Sequence, residues 1–413
     1  MIEWSEQHLM IRDAVRRFVE AEIKPNLEQL EHGDLPPYDV LRKLISTFGM
    51  DEMARVRFQK QIAREKAQAA AGQPSLELER EREAGGRGDA VAMQLIPIIE
   101  LCRYCPGMVT AMGVSMGLTA AAILSKGTTQ QKERWALDLL TMKKIGSWAI
   151  TEPGSGSDAF GSMKSSARRD GQGGYLLTGN KTFITNGPYA DTIVFICKLD
   201  EEGVSARERK VLTFVLDRGM PGLTQSKPMR KMGLHSSPTG ELFVQDVRVG
   251  LDRLLGETEK AASRTGAKAT FSIERTGVAS MALGIVERCL ELSLKYARER
   301  VQFGRPIGEF QLIQDKLARM EVARLNLQNF VFRQIEMAEA GRGPGLAEAS
   351  AMKLYAARAA VEVALEAVQI YGGNGYMAEY HVEQLCRDAK VLQIYAGTDE
   401  IQISAIAREL LAG

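Results

Sequence analysis

Tyr175-Leu176-Leu177-Thr178-Gly179-Asn180-Lys181-Thr182-Phe183-Ile184-Thr185 is rich in aromatic and β-branched residues and is interrupted by Gly179-Asn180. It reads as a β-hairpin with Gly179-Asn180 as the turn. Thr192-Ile193-Val194-Phe195-Ile196-Cys197 and Val211-Leu212-Thr213-Phe214-Val215-Leu216 are apolar runs of strand length, and Gly187-Pro188 and Met220-Pro221-Gly222 punctuate turns. Strand signals therefore fill 147–249. On either side the periodicity is helical. Leu9, Ile11, Val15, Phe18 and Val19 recur at three- and four-residue spacing, and 92–125 is richly apolar. Beyond about Lys260, Val278, Met281, Ala282, Ile285, Val286, Cys289 and Leu292 trace one face of a long helix. Further helical stretches cover 312–340, 345–371 and 380–393, with glycines at 341–345 and 372–375 between them. Strands and helices do not alternate, which excludes a doubly wound sheet. The expected class is α+β, mainly α: a helical unit at 1–145, a β unit at 146–255 and a helical unit at 256–413.

The chain of 413 residues carries 53 Lys plus Arg against 52 Asp plus Glu, a formal charge of +1. That balance argues against a nucleic-acid partner. No uninterrupted apolar run reaches about 18 residues, so no membrane span is expected. Met1-Ile2-Glu3-Trp4-Ser5-Glu6 lacks the pattern of a signal peptide. The five cysteines are scattered and suit a reducing, cytoplasmic compartment. Cys102 and Cys105 have no second pair or nearby His, and the four histidines are unclustered, so no metal site is expected. The segment 51–90 stands apart, with 16 of its 40 residues charged. It reads as a solvated helix and loop, with a substrate-covering lid as the sharper alternative.

Three segments carry possible chemistry. Trp148-Ala149-Ile150-Thr151-Glu152-Pro153-Gly154-Ser155-Gly156-Ser157-Asp158 can bring N–H groups and hydroxyls against a polar ligand, or be a plain turn. Phe183 and Thr185 put an aromatic and a hydroxyl on one strand face. Gln369-Ile370-Tyr371-Gly372-Gly373-Asn374-Gly375-Tyr376 is followed by Ile394-Tyr395-Ala396-Gly397-Thr398-Asp399-Glu400-Ile401-Gln402. The glycines allow a phosphate to approach the backbone, or form a C-cap and sharp turn.

Together with ERVQFGRPIGEFQ at 299–311 and RDAK at 387–390, these motifs stand in one order along the chain. The sequence resembles the acyl-CoA dehydrogenase family over essentially its whole length except 51–90. The resemblance implies an N-terminal helical domain, a middle β-barrel and a C-terminal four-helix bundle, assembled as a homotetramer. It implies FAD as cofactor, an acyl-CoA thioester as substrate and 2,3-dehydrogenation as the reaction. Electron-transfer flavoprotein is the implied electron acceptor. An acyl-CoA oxidase or another flavoenzyme on the same scaffold, and a non-catalytic homologue, are the alternatives.

The family reaction needs a base for the C2 proton. Many members place a Glu where this chain has Ala396. A minority branch, including isovaleryl-CoA and long-chain acyl-CoA dehydrogenases, places it directly before an Arg on the long helix, and Phe271-Ser272-Ile273-Glu274-Arg275 matches that pattern. Glu274 is thus the implied base, against the blander reading of a carboxylate that merely begins a helix. The Ala396 N–H still suits thioester polarisation, which needs no side chain. By resemblance, Trp148, Ile150, Thr151, Phe183 and Thr185 surround the flavin ring. Arg300 and Gln302 match pyrophosphate and ribityl contacts, and Phe303, Phe310 and Gln311 the adenosine surroundings. Gln369, Gly372 and Gly373 match a phosphate contact from a neighbouring subunit, while Thr398 and Glu400 belong to the FAD-binding C-terminal loop. Ser157 and Arg275 match CoA contacts, and Tyr395, Ala396 and Gly397 border the thioester. Ser272 stands where an Asp is common in the family.

Overall fold

The computed structural model describes residues 3–32, 35–71, 87–260 and 264–412. Helices open the chain: α1 (Glu6–Phe18), α2 (Leu27–Glu31), α3 (Tyr38–Thr47), α4 (Met50–Ala70), α5 (Arg87–Cys102) and α6 (Pro106–Met112). A π-helical stretch, Gly113–Ala120, continues α6 into α7 (Ala121–Lys126), and α8 (Thr129–Leu140) follows. Local chemistry marks these starts. Ser5 caps α1 by accepting from the His8 N–H, and Thr128 and Gln131 form a reciprocal capping box on α8.

The middle of the chain forms β1 (Gly146–Ala149), β2 (Ser166–Arg169), β3 (Tyr175–Thr185), β4 (Thr192–Leu199), β5 (Val211–Asp217), β6 (Leu223–Gln225) and β7 (Thr239–Val249). They build one mixed sheet in the order β1-β4-β2-β3-β7-β6, with β5 on β4. β1 and β2 run parallel to β4, and the remaining pairs are antiparallel. The path runs from β1 to β6, with β5 branching off β4, and does not close, so the expected barrel is an open sheet among the described residues.

Tyr175–Thr185 is not a hairpin. It is one long strand, paired along its length with β7 and interrupted twice, between Leu177 and Gly179 and between Lys181 and Ile184. A Cβ on Gly179 would lie 2.1 Å from Ser165 Oγ and 2.8 Å from Ser165 Cα. The glycine serves close approach at a bulge, not a turn. At the second irregularity Phe183 takes φ +57°, and its ring stands exposed.

The third unit comprises α9 (Arg264–Glu299), the short ribbon β8 (Val301–Gln302) and β9 (Arg305–Pro306), α10 (Gln311–Glu339), α11 (Leu346–Tyr371), α12 (Val382–Lys390) and α13 (Asp399–Leu411). α11 packs against α9, α10, α12 and α13. The two helical units share one core: Leu41, Leu101 and Met108 lie in the same buried cluster as Val278, Ile285, Leu327 and Ala360. The sheet has its own core around Leu177, Phe195 and Phe214. A third cluster joins it to α8 and α4 through Trp135, Leu139, Val194, Phe58 and Ile62.

Two further expectations can be set against the structure. The solvated helix expected in the charged segment is α4, whose residues are mostly exposed, with one packed seam where Phe58 and Ile62 are buried and Glu65 meets Lys132 at 2.9 Å. The lid reading falls on 72–86, outside the described residues. Second, the helical stretch Pro106–Lys126 is long and apolar enough by composition to cross a membrane. Thr110, Gly113, Ser115, Gly117 and Thr119 interrupt the apolar run, while its Met, Val, Leu and Ile keep the mean hydropathy high. Here Ala111, Thr119, Ala120 and Ile123 are buried, and Ser115 Oγ accepts from the Gly146 N–H of β1.

Candidate active site

Two groups of sequence-selected residues are drawn together, one at the sheet and one under α11. At the sheet, Trp148 lies in β1, with Ile150 and Thr151 immediately after it, and the Thr182 N–H of β3 donates to Thr151 O at 2.9 Å. That bond sets Phe183 and Thr185 beside the β1 exit. Trp148, Ile150, Thr151 and Thr185 are half-buried and Phe183 is 66% exposed. The result is an apolar wall edged by hydroxyls.

The loop beyond it is closed by paired backbone bonds between Glu152 and Ser155, both 3.0 Å. Its anchor is a buried ion pair absent from the sequence reading. Lys181, with no exposed surface, donates to Glu152 Oε1 at 2.9 Å and to Ile150 O at 3.0 Å. Glu152 also accepts from the N–H groups of Lys164 and Ser165. Burial pushes the Glu152 carboxyl up, but those bonds and the Lys181 ammonium hold it below its ordinary value. Gly154, Gly156 and Ser157 remain exposed, and a Cβ on either glycine would meet nothing within 4 Å. The wall and the open loop fit a flat aromatic cofactor carrying polar substituents.

The second group surrounds Glu274. The helix begins at Arg264, so Glu274 lies inside it and not at its N-terminus. Burial raises the Glu274 carboxyl to about 7, against the opposing charges of Arg275 and Lys353. Arg275 turns inward: its guanidinium is buried and donates to Ser350 Oγ of α11 at 2.7 Å. A Cβ on Gly397 would lie 3.7 Å from Arg275 Nη2, which puts the 395–397 loop beside this group. Tyr395 donates to Met281 Sδ of α9 at 3.3 Å, and burial raises its phenol beyond the ordinary range. Ala396 and Gly397 both take left-handed conformations, φ +53° and +87°. The Ser272 side chain lies outside the described residues.

Thr398 and Glu400 are at the start of a helix, not in a loop. Thr398 caps α13 by accepting from the Ile401 N–H, and Glu400 is exposed in its first turn. Below the loop lie two residues that the sequence reading missed. Lys353, with no exposed surface, donates to Gly397 O at 2.8 Å, and the buried Gln402 donates to Ala396 O at 3.0 Å and Gly397 O at 2.7 Å. Lys353 had a legible signal: it lies in the buried stripe Ala349, Lys353, Ala356, Ala360 of α11. A lysine at a core position of such a stripe needs a partner.

A third set occupies another end of the helical unit. Arg300, Gln302, Phe303 and Gln311 are exposed around the β8–β9 turn, where Phe303 takes φ +52° and meets the half-buried Phe310 edge to face at 6.0 Å. Gln369, Gly372 and Gly373 are exposed at the end of α11, with open space where either glycine's Cβ would stand. Tyr296 joins the two: it stacks on Tyr371 at 4.0 Å, accepts from Asn374 Nδ2, and its carbonyl accepts from the Arg300 N–H. A guanidinium and open glycine backbone at one end suit a phosphate-bearing ligand.

Comparison with known proteins agrees along the chain. The acyl-CoA dehydrogenase N-terminal domain matches residues 5–51 and 42–143, the middle domain 147–247 and the C-terminal domain 265–411. An acyl-CoA dehydrogenase of Bacillus subtilis is 36% identical across 99% of both chains. A mitochondrial isovaleryl-CoA dehydrogenase of rice is 32% identical over 97% of this chain and 90% of its own length. Among solved structures, butyryl-CoA dehydrogenase from Megasphaera elsdenii superposes with a TM-score of 0.82 at 32% identity over 100% of both chains. An acyl-CoA dehydrogenase from Bacillus anthracis, solved with FAD, gives 0.80 at 27% identity over 99% of this chain and 68% of its own.

Proposed function

Because the chain belongs to the acyl-CoA dehydrogenase family, we propose that it is an FAD-dependent enzyme that converts an acyl-CoA thioester to the trans-2-enoyl-CoA, with Glu274 as the base. Bound FAD supplies the hydride acceptor for the C3 hydrogen. Trp148, Ile150 and Phe183 form the apolar wall for the ring, and Thr151 and Thr185 bond its polar edge. Arg300 and Gln302 hold the pyrophosphate and ribityl groups with Phe303, Phe310 and Gln311 around the adenosine, and Gln369 with the Gly372–Gly373 backbone reaches a phosphate of the FAD in a neighbouring subunit. Glu274 takes the C2 proton at its carboxylate. The Ala396 N–H polarises the thioester oxygen, Tyr395 and Gly397 border it, and Ser157 and Arg275 serve the CoA moiety. The assembly is a homotetramer, and electron-transfer flavoprotein accepts the electrons.

One observation carries this reading. Glu274 is a desolvated carboxyl raised to about 7, beside a loop with two successive left-handed residues. A base near neutrality can take a proton and release it again at physiological pH. The base position is the one that isovaleryl-CoA and long-chain members of the family use, which favours a branched or long acyl chain over a short straight one. The test is anaerobic flavin bleaching with straight and branched acyl-CoAs. The wild type bleaches with some member of the panel, whereas Glu274→Gln binds the same thioester and stays yellow. Equal bleaching of both proteins removes Glu274 as base.

A further inference from the structure

Tyr395 ties the 395–397 loop to Met281 of α9, while the carbonyls of Ala396 and Gly397 are held from the opposite side by α11 and α13. Lys353 Nζ donates to Gly397 O at 2.8 Å, and Gln402 Nε2 donates to Gly397 O at 2.7 Å and Ala396 O at 3.0 Å. Both side chains have no exposed surface. Asp399 Oδ1 lies 3.8 Å from Lys353 Nζ, and Asp399 also pairs with Arg358 at 3.0 Å, so the ammonium is fixed from below. Every donor on this side binds a carbonyl. Among the described residues the Ala396 and Gly397 N–H groups donate to nothing. Two successive N–H groups in a turn of this kind form a concavity that takes an anion or a carbonyl oxygen.

We propose that Lys353 is a positioning residue for thioester polarisation: with Gln402 it clamps the carbonyls of Ala396 and Gly397 so that the loop's N–H groups meet the substrate oxygen. The proposal rests on the dehydrogenase reading and names a further part of the same site. The left-handed conformation is unfavourable for Ala396, and a loop of this shape persists where its surroundings over-determine it. Lys353 supplies that constraint as a buried cation on a carbonyl, the stronger kind of hydrogen bond. The same ammonium opposes the burial that keeps Glu274 protonated. One residue thus acts on the oxyanion donors and on the base.

The test uses the FAD-loaded protein with 3-methylcrotonyl-CoA and trans-2-hexadecenoyl-CoA, each carrying 13C at its carbonyl, as branched and long products that need no turnover. Isotope-edited infrared or Raman spectra read the carbonyl stretch directly. Wild type and Glu274→Gln shift the band of at least one of them to lower frequency than the free thioester, because polarisation does not need the base. Lys353→Met, with FAD content unchanged, returns the band most of the way to the free value, and its flavin reduction by acyl-CoA slows at least tenfold. Gln402→Leu, which keeps the buried cation, gives a partial return. If Lys353→Met does not fold, Gln402→Leu decides: an unmoved band overturns the clamp. A band shift kept in full by Lys353→Met overturns the proposal while leaving the dehydrogenase reading intact. A wild type that shows no band shift overturns both.

Discussion

At pH 7 the Glu274 carboxyl is balanced between its two protonation states, because burial outweighs the nearby cations. Two opposite pH dependences follow from the shift from 4.5 to about 7. Between those values an unfolded chain ionises at this position while the folded chain keeps its proton. Stability therefore falls as pH rises through the window and levels off above 7, by roughly 3 kcal/mol in total. With Glu274 in the proposed role of base, activity runs the other way, since only the ionised carboxyl can take a proton. The anaerobic flavin-reduction rate at low acyl-CoA is expected to climb about tenfold per pH unit below 7 and reach a plateau above it. Glu274→Gln removes the first dependence as well, so its Tm advantage over wild type should be small near pH 4.5 and larger at pH 8. A constant Tm difference would mean that Glu274 is not desolvated in the folded protein. The residue type and its Arg neighbour were legible along the chain. A desolvated base raised towards neutrality was expected from them too, whereas the opposing charge of Lys353 was not, because α11 brings it from a distant part of the sequence.

At the scale of elements, the 151–155 loop owes its position to β3 rather than to its own glycines. Lys181 reaches from the interior of the strand to Glu152 and Ile150, and both ionised groups are buried. Lys181→Met leaves the Glu152 carboxylate buried without its partner, at a cost of roughly 3–5 kcal/mol. Thermal melts should show that loss, and FAD titration should show weaker cofactor binding. Lys181→Met combined with Glu152→Gln should recover a substantial part of the stability. If the double variant is no better than the single one, the charge pair is not the anchor. The misplaced hairpin has the same origin. Gly179-Asn180 carries a turn signature locally, but Gly179 is called for by Ser165 pressing against the strand from β2's approach. Turn propensity is a local signal, and a partner strand overrides it.

The whole molecule is joined at a few polar points between its cores. Asn186 is buried at the sheet's end and accepts from Tyr38 of α3, while its amide donates to Ala111 O and Gly146 O at 2.9 Å. Three elements from two units thus meet on one side chain, held at φ +63°. Asn186→Ala orphans two carbonyls and a phenol and strains the backbone. Urea unfolding is expected to show a loss of roughly 2–4 kcal/mol, and Asn186→Gly, which keeps the conformation, a smaller one. Equal stability of all three proteins would show that the units do not depend on this junction. By itself the sequence determined the helical–β–helical order, the motifs of the site and the candidate base, since periodicity and residue spacing are written in neighbouring positions. Only the tertiary structure decided that the sheet stays open, that α4 packs one seam against α8, that Lys181 anchors the 151–155 loop and that Lys353 and Gln402 hold the 395–397 loop. Those outcomes depend on which buried charges and carbonyls meet across long chain separations, where desolvation forces each to find a partner.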